Sequence, residues 1–227
     1  MRTAIRSTAA IAWLCAIQAH AVAAAPSTKF DLHDWKLQIP GPRDIKGLEN
    51  YSSEYFNLNA AGEMCFSVNA AETGTTPNAK YVRSELRHLP NWKASDKHSL
   101  SAELRVISAL KPAKVTVLQI HGITEKGGDA PPLLRIAENF GDLVAVIQKG
   151  NGRRDNETVV LQKSLDGKSV KIEITVQAER LSIRVDDEEK VSRSLDFWKF
   201  PNYFKAGCYP QATEGTAQVM FSKLTAK

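Results

Sequence analysis

The chain has 227 residues, 43% of them hydrophobic and 24% charged, so it can bury the core of one ordinary globular domain. Its formal net charge is +5, and its Lys and Arg residues form no dense stripe of the kind that nucleic-acid-binding domains carry. This mildly basic balance allows a polyanionic ligand without requiring one. We therefore expect no nucleic acid among its partners.

The first 23 residues have the pattern of a secretory signal peptide. Arg2 and Arg6 precede an apolar stretch, and residues 21–23 (Ala-Val-Ala) match the small-x-small cleavage pattern. The apolar stretch is too short to span a bilayer comfortably, and no later segment approaches that length. We expect a mature protein that begins at Ala24, is secreted to the periplasm or the medium, and contacts no membrane. Without the two arginines, 30 − 2 = 28 basic residues face 25 acidic ones, which leaves a net charge of +3.

Short segments of alternating hydrophobicity fill the mature chain and predict an all-β fold. In chain order, the predicted strands are Trp35–Ile39, Glu63–Val68, Ser99–Val106, Leu133–Ala137, Leu143–Ile147, Ile172–Val176, Leu181–Val185 and Val219–Leu224. The fourth and fifth are expected to form a hairpin around residues 138–142. No window has a convincing helical period, and at most one helical turn is expected near Leu195–Trp198. The Gly, Pro, Asn and Asp residues between strands are typical of a single antiparallel sandwich or jelly roll.

Three further segments place functional groups on one face of a predicted strand, because side chains alternate along a strand. The alternating positions are Arg83, Glu85 and Arg87, then Gln119 and His121, then Tyr203, Lys205, Gly207, Tyr209 and Gln211. In the last segment the opposite face is the apolar set Phe204, Ala206 and Cys208. One polar face is often only a solvated sheet surface. Three faces with complementary cationic, amide, imidazole and phenol groups indicate a ligand site.

The segment 122–132 follows His121 directly and has the Gly- and Pro-rich composition of a loop. Its length and composition predict a flexible connection. Such a loop either covers a cleft next to His121 or simply joins two strands.

Cys65 and Cys208 are the two cysteines of the expected mature chain. They form either a disulfide, which an oxidising compartment permits, or two buried free thiols. Two cysteines with scattered histidines do not have the spacing of a metal site, so we expect no metal.

The sequences RSELR, QIH and YFKAGCYPQ, in this order, resemble the three motif strands of the polysaccharide lyase family 7 alginate lyases. FDLHDWKLQIP resembles the start of that catalytic domain, so the resemblance runs from about Phe30 to the C-terminus. Pro210 departs from the pattern, which has Asn at this position, and it removes a backbone donor near the end of the strand. The resemblance implies a β-sandwich jelly roll of two curved antiparallel sheets, with the motif strands side by side on the concave sheet below a substrate groove. Together with the expected signal peptide, 1–23, it leaves one alginate-lyase-like catalytic domain, 24–227.

The resemblance also implies roles for individual residues. The implied catalytic residues are Arg83, Gln119, His121 and Tyr209, and the implied substrate-binding residues are Glu85, Arg87, Lys205 and Gln211. Alginate lyases act by β-elimination, in which a base removes the C5 proton and the C4–O4 bond then breaks. A guanidinium and an amide would neutralise the uronate carboxylate. His121 would be the base for guluronate and Tyr209 the acid, whereas Tyr209 could serve as both for mannuronate. Glu85 is expected to orient the flanking arginines.

The implied partner is alginate, an acidic polysaccharide, bound by a monomer without a cofactor. Ile120 in QIH is associated in this family with guluronate-containing stretches, so guluronate-containing or mixed blocks are the expected substrate. Endo-type cleavage is expected because the implied groove is open. A lyase acting on another polyuronate, such as glucuronan, and a non-catalytic polyuronate-binding module remain alternatives. A binding module could dispense with His121 and Tyr209. A glycoside hydrolase needs a pair of carboxyl groups across the bond, and the motif strands offer only Glu85.

Overall fold

The structure is a computed structural model, and it describes residues 24–41, 44–74, 80–150 and 155–227. The predicted signal peptide lies outside these residues. The described elements are one 3₁₀ helix, Pro26–Thr28, and the strands β1 Trp35–Gln38, β2 Asp44–Ile45, β3 Phe56–Leu58, β4 Met64–Asn69, β5 Ser84–His88, β6 His98–Ser108, β7 Lys114–Ile123, β8 Asp129–Asn139, β9 Asp142–Gln148, β10 Asn156–Gln162, β11 Val170–Gln177, β12 Arg180–Val185, β13 Glu188–Ser194, β14 Asn202–Pro210 and β15 Thr216–Ala226. Within these ranges, no helix has the length and apolar character needed to cross a membrane.

The strands form two antiparallel sheets, which confirms the predicted all-β fold. One sheet has eight strands in the order β10-β9-β8-β7-β14-β5-β1-β2, and the other has seven in the order β13-β12-β11-β6-β15-β4-β3. The core lies between the two sheets. Leu86, Leu118 and Ala206 of the eight-stranded sheet are fully buried, as are Phe66 and Phe221 of the seven-stranded sheet. The three motif segments become β5, β14 and β7, which are direct neighbours as predicted.

The alternation of apolar side chains accounts for the strands that were predicted from the sequence. In β11, for example, Ile172 and Ile174 are buried, whereas Lys171 is exposed and Glu173 is half-buried. The predicted hairpin is also confirmed, because β8 pairs with β9 from Leu134 to Asn139. The strand β10 was missed, because it is an edge strand and most of its side chains remain exposed or half-buried.

The predicted loop 122–132 is wrong. Strand β7 continues to Ile123 and β8 begins at Asp129, which leaves only the turn 124–128. Thr124 and Gly128 close this turn through main-chain and side-chain hydrogen bonds of 2.7 to 3.0 Å. Strand pairing therefore outweighs the local preference of a Gly- and Pro-rich segment. Near residue 198, the described chain has only one hydrogen-bonded turn, from the Trp198 N–H to the carbonyl of Leu195.

Cys65 and Cys208 are both free and buried. Each thiol lies 3.7 Å from a main-chain carbonyl, Cys65 near that of Glu63 and Cys208 near that of Ala217. Of the two alternatives left open by the sequence, the structure has the pair of buried free thiols.

Gly207 sets the approach of β14 to β5. Its φ is +152°, and an added Cβ would lie 2.5 Å from the carbonyl oxygen of Ser84 and 2.6 Å from the Cα of Glu85. No other residue fits here without moving one of the two strands. The glycine of the third motif therefore allows Tyr209, two residues later, to pack beside Arg83 from the β5 segment.

Candidate active site

A groove of about 940 Å³ lies on the outer face of the eight-stranded sheet. It is lined by side chains that alternate with the core residues of β5, β7 and β14. The predicted residues that line it are Arg83, Arg87, Gln119, His121, Tyr203, Lys205 and Tyr209. The structure thus brings together all four predicted catalytic residues and two of the four predicted substrate-binding residues.

Strand register aligns a row of polar side chains across five strands of the groove floor. Lys36 of β1 lies opposite Arg87 of β5, which lies opposite Lys205 of β14. Lys205 in turn lies opposite Gln119 of β7, and Gln119 opposite Arg135 of β8. Because neighbouring strands are about 4.8 Å apart, four cations and one amide span roughly 19 Å. We call this set the transverse row.

Glu85 is fully buried and is not among the residues that line the groove. Its Oε2 accepts hydrogen bonds from Lys205 Nζ at 2.5 Å and from Arg83 Nη1 at 3.3 Å. Its Oε1 accepts one from Gln119 Nε2 at 2.5 Å. Burial by itself raises the pKa of this carboxyl, but Lys205 and Arg83 outweigh that effect and hold the pKa below its ordinary value. The charged carboxylate therefore fixes three groove side chains from below.

Glu85 was expected to orient both flanking arginines. Among its described contacts, Glu85 binds Arg83 but not Arg87. Arg87 instead donates to two main-chain carbonyls at 2.8 and 2.9 Å and to Asn91 Oδ1 at 2.9 Å. Its guanidinium also lies 4.1 Å from the centre of the Tyr203 ring. Arg87 is thus held by its own segment and by an aromatic neighbour, and its described hydrogen bonds do not include Glu85.

Lys205 connects the groove floor to the edge of the sheet. It is 4% exposed, and its Nζ donates to Gln38 Oε1 at 2.9 Å. Gln38 donates to Asp44 of β2 at 3.1 Å, and Lys36 pairs with the same carboxylate. Lys36 and Gln38 both line the groove, but sequence reasoning missed them. Their strand was predicted, whereas its pairing with β5 was not visible in the sequence.

Tyr209 packs against Arg83, whose guanidinium lies 4.1 Å from the ring centre. Burial raises the pKa of the Tyr209 phenol, while the positive charges of Arg83 and Arg135 oppose that shift. The phenol is therefore protonated at neutral pH and can act as a proton donor.

His121 stacks on Tyr203, with ring centres 5.4 Å apart and planes at 20°. Tyr203 also donates a hydrogen bond to Asp129 Oδ1 at 3.1 Å, so it serves both in packing and in lining the groove. Burial lowers the pKa of His121, and Lys205 lowers it further, so the imidazole is neutral at neutral pH. Its Nδ1 lies 3.3 Å from the carbonyl of Gly122. A hydrogen bond there requires the proton on Nδ1, which leaves Nε2 as the basic nitrogen.

Gln211 lies beyond the end of β14, outside the set of described residues that line the groove. Its Nε2 donates to the carbonyl of Tyr209 at 2.5 Å, and its Oε1 accepts from Thr116 Oγ1 at 3.0 Å. The alternation that predicted a shared face with Tyr209 ends with the strand at Pro210. The structure therefore places the Gln211 side chain against the main chain of Tyr209 and not among the side chains that line the groove, and its contact with substrate stays a prediction.

Two groove residues of β8 were also missed by sequence reasoning, Arg135 and Asp129. Arg135 interrupts the buried run from Leu133 to Ala137, and a lone arginine in an apolar strand is a usable signal. Asp129 was assigned to the predicted loop. Neither could be connected to the site without the pairing of β8 with β7.

Comparison with known proteins identifies the family of this chain. Residues 30–227 match the family model described as alginate lyase. An alginate lyase from Photobacterium sp. is 28% identical over an alignment of 231 positions, which includes 83% of this chain and 81% of that protein. The crystal structure of alginate lyase A1-II′, a member of polysaccharide lyase family 7, is 28% identical with a TM-score of 0.81, over 90% of this chain and 98% of that one. A variant of A1-II′ in complex with the substrate GGMG is 30% identical with a TM-score of 0.79, and the match covers 90% of this chain and 97% of that one. This chain therefore belongs to the alginate lyase family, within polysaccharide lyase family 7.

Proposed function

We propose that this protein depolymerises alginate by endo-type β-elimination, with guluronate-containing or mixed blocks as its preferred substrate. The observation that carries the proposal is the convergence of Arg83, Gln119, His121 and Tyr209 on one groove. These four side chains comprise a charge-neutralising pair, a base and an acid, which are the groups that the reaction needs.

In the proposed mechanism, Arg83 and Gln119 bind the carboxylate of the reacting uronate. Negative charge develops on this carboxylate when the neighbouring C5 proton is removed, and donors that are already in place stabilise it. Arg83 lines the groove, and its guanidinium uses Nη1 on Glu85 while other N–H groups remain for a ligand. Gln119 uses one amide N–H on Glu85 and retains the other.

The neutral imidazole of His121 then removes the C5 proton through Nε2. The electron pair of the C5–H bond forms the C4–C5 double bond, the C4–O4 bond breaks, and the phenol of Tyr209 protonates O4. The enzyme returns to its starting state when His121 loses a proton to water and Tyr209 regains one. Because burial raises the pKa of Tyr209, the phenol is favoured over the phenolate that a Tyr209 base would require. This preference supports His121 as the base, and hence guluronate as the substrate.

The described rim of the groove supports an endo-type action. The β7–β8 connection beside His121 is only the turn 124–128, so it supplies no long lid over the groove. The middle of a polymer chain can therefore lie along the transverse row. We further propose that the protein acts as a secreted monomer in the periplasm or the medium, where alginate would be accessible.

Incubation of the purified protein with polyguluronate, polymannuronate, mixed-block alginate and polyglucuronate tests this proposal. We expect ultraviolet absorbance from unsaturated uronate ends and the number of reducing ends to rise together, fastest on guluronate-containing blocks. Reducing ends without the chromophore would mean hydrolysis, and binding with neither signal would mean a non-catalytic module. A preference for polymannuronate or for polyglucuronate would contradict the proposed substrate.

The pH dependence of kcat/KM tests the proposed base and acid. His121 must be neutral, and burial followed by Lys205 lowers its pKa from the ordinary value of 6.5. Activity is therefore expected to rise with pH through a midpoint below 6.5 and then to level off. Tyr209 must keep its proton, and burial raises its pKa above 10.0, so activity should decline only at still higher pH. An acid-side midpoint above 6.5 on polyguluronate would argue against His121 as the base.

A further inference from the structure

Arg135 differs from the other cations that line the groove in having no partner within the described part of the chain. The partners of the other four are Asp44 for Lys36, Glu85 for Arg83, Asn91 and two main-chain carbonyls for Arg87, and Glu85 with Gln38 for Lys205. Arg135 is half-buried in the middle of β8. Burial lowers its pKa, and the nearby Tyr209 opposes that shift only in part. A guanidinium partly removed from water without an anion is costly unless a ligand supplies one.

The position of Arg135 indicates which ligand group it meets. It lies directly opposite Gln119, at a distance between Cβ atoms of about 5 Å for such a pair. It stands on the side of Gln119 away from Lys205, at one end of the transverse row. The nearby hairpin adds only Asp129 as a charged group to the groove lining, and its carboxylate repels a uronate. Among the described residues that line the groove, Arg135 is thus the cation available to a polyuronate on the β8 side of the reacting sugar.

We propose that Arg135 binds the carboxylate of the uronate next to the reacting one, on the β8 side of the groove. This inference rests on the proposed function, in which Arg83 and Gln119 hold the reacting carboxylate. A guanidinium can grip a carboxylate through two parallel hydrogen bonds, so Arg135 fixes the neighbouring sugar in orientation as well as in place. Because that carboxylate does not change charge during the reaction, Arg135 contributes to binding equally before and during the bond cleavage.

The test compares Arg135→Met with Arg180→Met, which removes the same charge from the seven-stranded sheet, where Arg180 bonds only to Ser192 among its described contacts. Binding of a guluronate tetrasaccharide is measured by calorimetry in a Tyr209→Phe background, in which turnover is slow. The loss of a charge-assisted hydrogen bond is expected to weaken Kd by about 10- to 100-fold for Arg135→Met and to leave Kd unchanged for Arg180→Met.

Steady-state kinetics of the same substitutions in the otherwise unchanged protein separate binding from chemistry. Arg135→Met is expected to raise KM with kcat nearly constant, and Arg135→Lys to give an intermediate KM because it keeps the charge but not the paired geometry. An unchanged Kd would overturn the inference. A large fall in kcat would also overturn it, because it would put Arg135 on the reacting sugar. Thermal unfolding of each variant checks that it is folded, and Arg135→Lys carries the test if the Met variant is not. Failure of the unchanged protein to form unsaturated ends would refute the proposed function, while the binding comparison would still report on Arg135.

Discussion

Replacement of Tyr209 by Phe is expected to lower kcat by about 10²- to 10⁴-fold, the range for loss of a positioned general acid. Without the phenol, O4 would have to leave as an unprotonated alkoxide. The ring itself is retained, so its stacking with the Arg83 guanidinium at 4.1 Å should persist and the variant should fold. The measurement is the initial rate of absorbance increase on polyguluronate, together with the Kd for a guluronate tetrasaccharide, which should change little.

Tyr203→Phe provides the matched control for Tyr209→Phe. Tyr203 lies in the same groove. Its hydroxyl donates to Asp129, and its ring stacks on the His121 ring. We assign that hydroxyl no proton transfer, so its removal should reduce kcat far less than removal of the Tyr209 hydroxyl. Normal binding with full-speed cleavage by Tyr209→Phe, or a larger loss in Tyr203→Phe, would refute Tyr209 as the acid.

Replacement of Glu85 by Gln is expected to reduce both stability and activity. Glu85 is fully buried and accepts hydrogen bonds from Arg83, Gln119 and Lys205. The amide NH₂ of a glutamine at this position would face one of these N–H donors, and Lys205 would lose its counter-charge. Removing one member of such a buried pair costs about 3–5 kcal/mol in the free energy of unfolding. Displacement of the carboxylate-binding side chains by about 1 Å would lower kcat/KM by a further 10²-fold. Denaturant unfolding and rates on polyguluronate measure the two effects.

The double variant Glu85→Gln with Lys205→Met separates the structural role of Glu85 from its catalytic role. Loss of the uncompensated ammonium should make the double variant more stable than Glu85→Gln alone. Activity should remain low, because Arg83 and Gln119 would still lack the carboxylate that fixes them. Wild-type activity and stability in Glu85→Gln would show that the groove side chains do not depend on this carboxylate.

The period-two alternation of β14 was enough to predict which of its side chains face the groove. Tyr203, Lys205 and Tyr209 line it, while Phe204 and Cys208 between them are fully buried. The signal is local, since burial of the apolar face forces the other face outward whatever strand lies alongside. It stops where the strand stops, which is why it did not place Gln211.

The sequence by itself therefore determined the all-β class, most of the strands, and the inventory of acid, base and charge-neutralising groups. Only the tertiary structure decided which groups meet. Pairing of β1, β5, β14, β7 and β8 builds the transverse row, brings Arg135 beside Gln119, and places the buried Glu85 below three groove side chains. Strand pairing joins segments far apart in the chain through main-chain hydrogen bonds that are the same for every residue type. Such pairing leaves little trace in any one segment. It also placed both ends of the predicted loop 122–132 in paired strands and left only the turn 124–128.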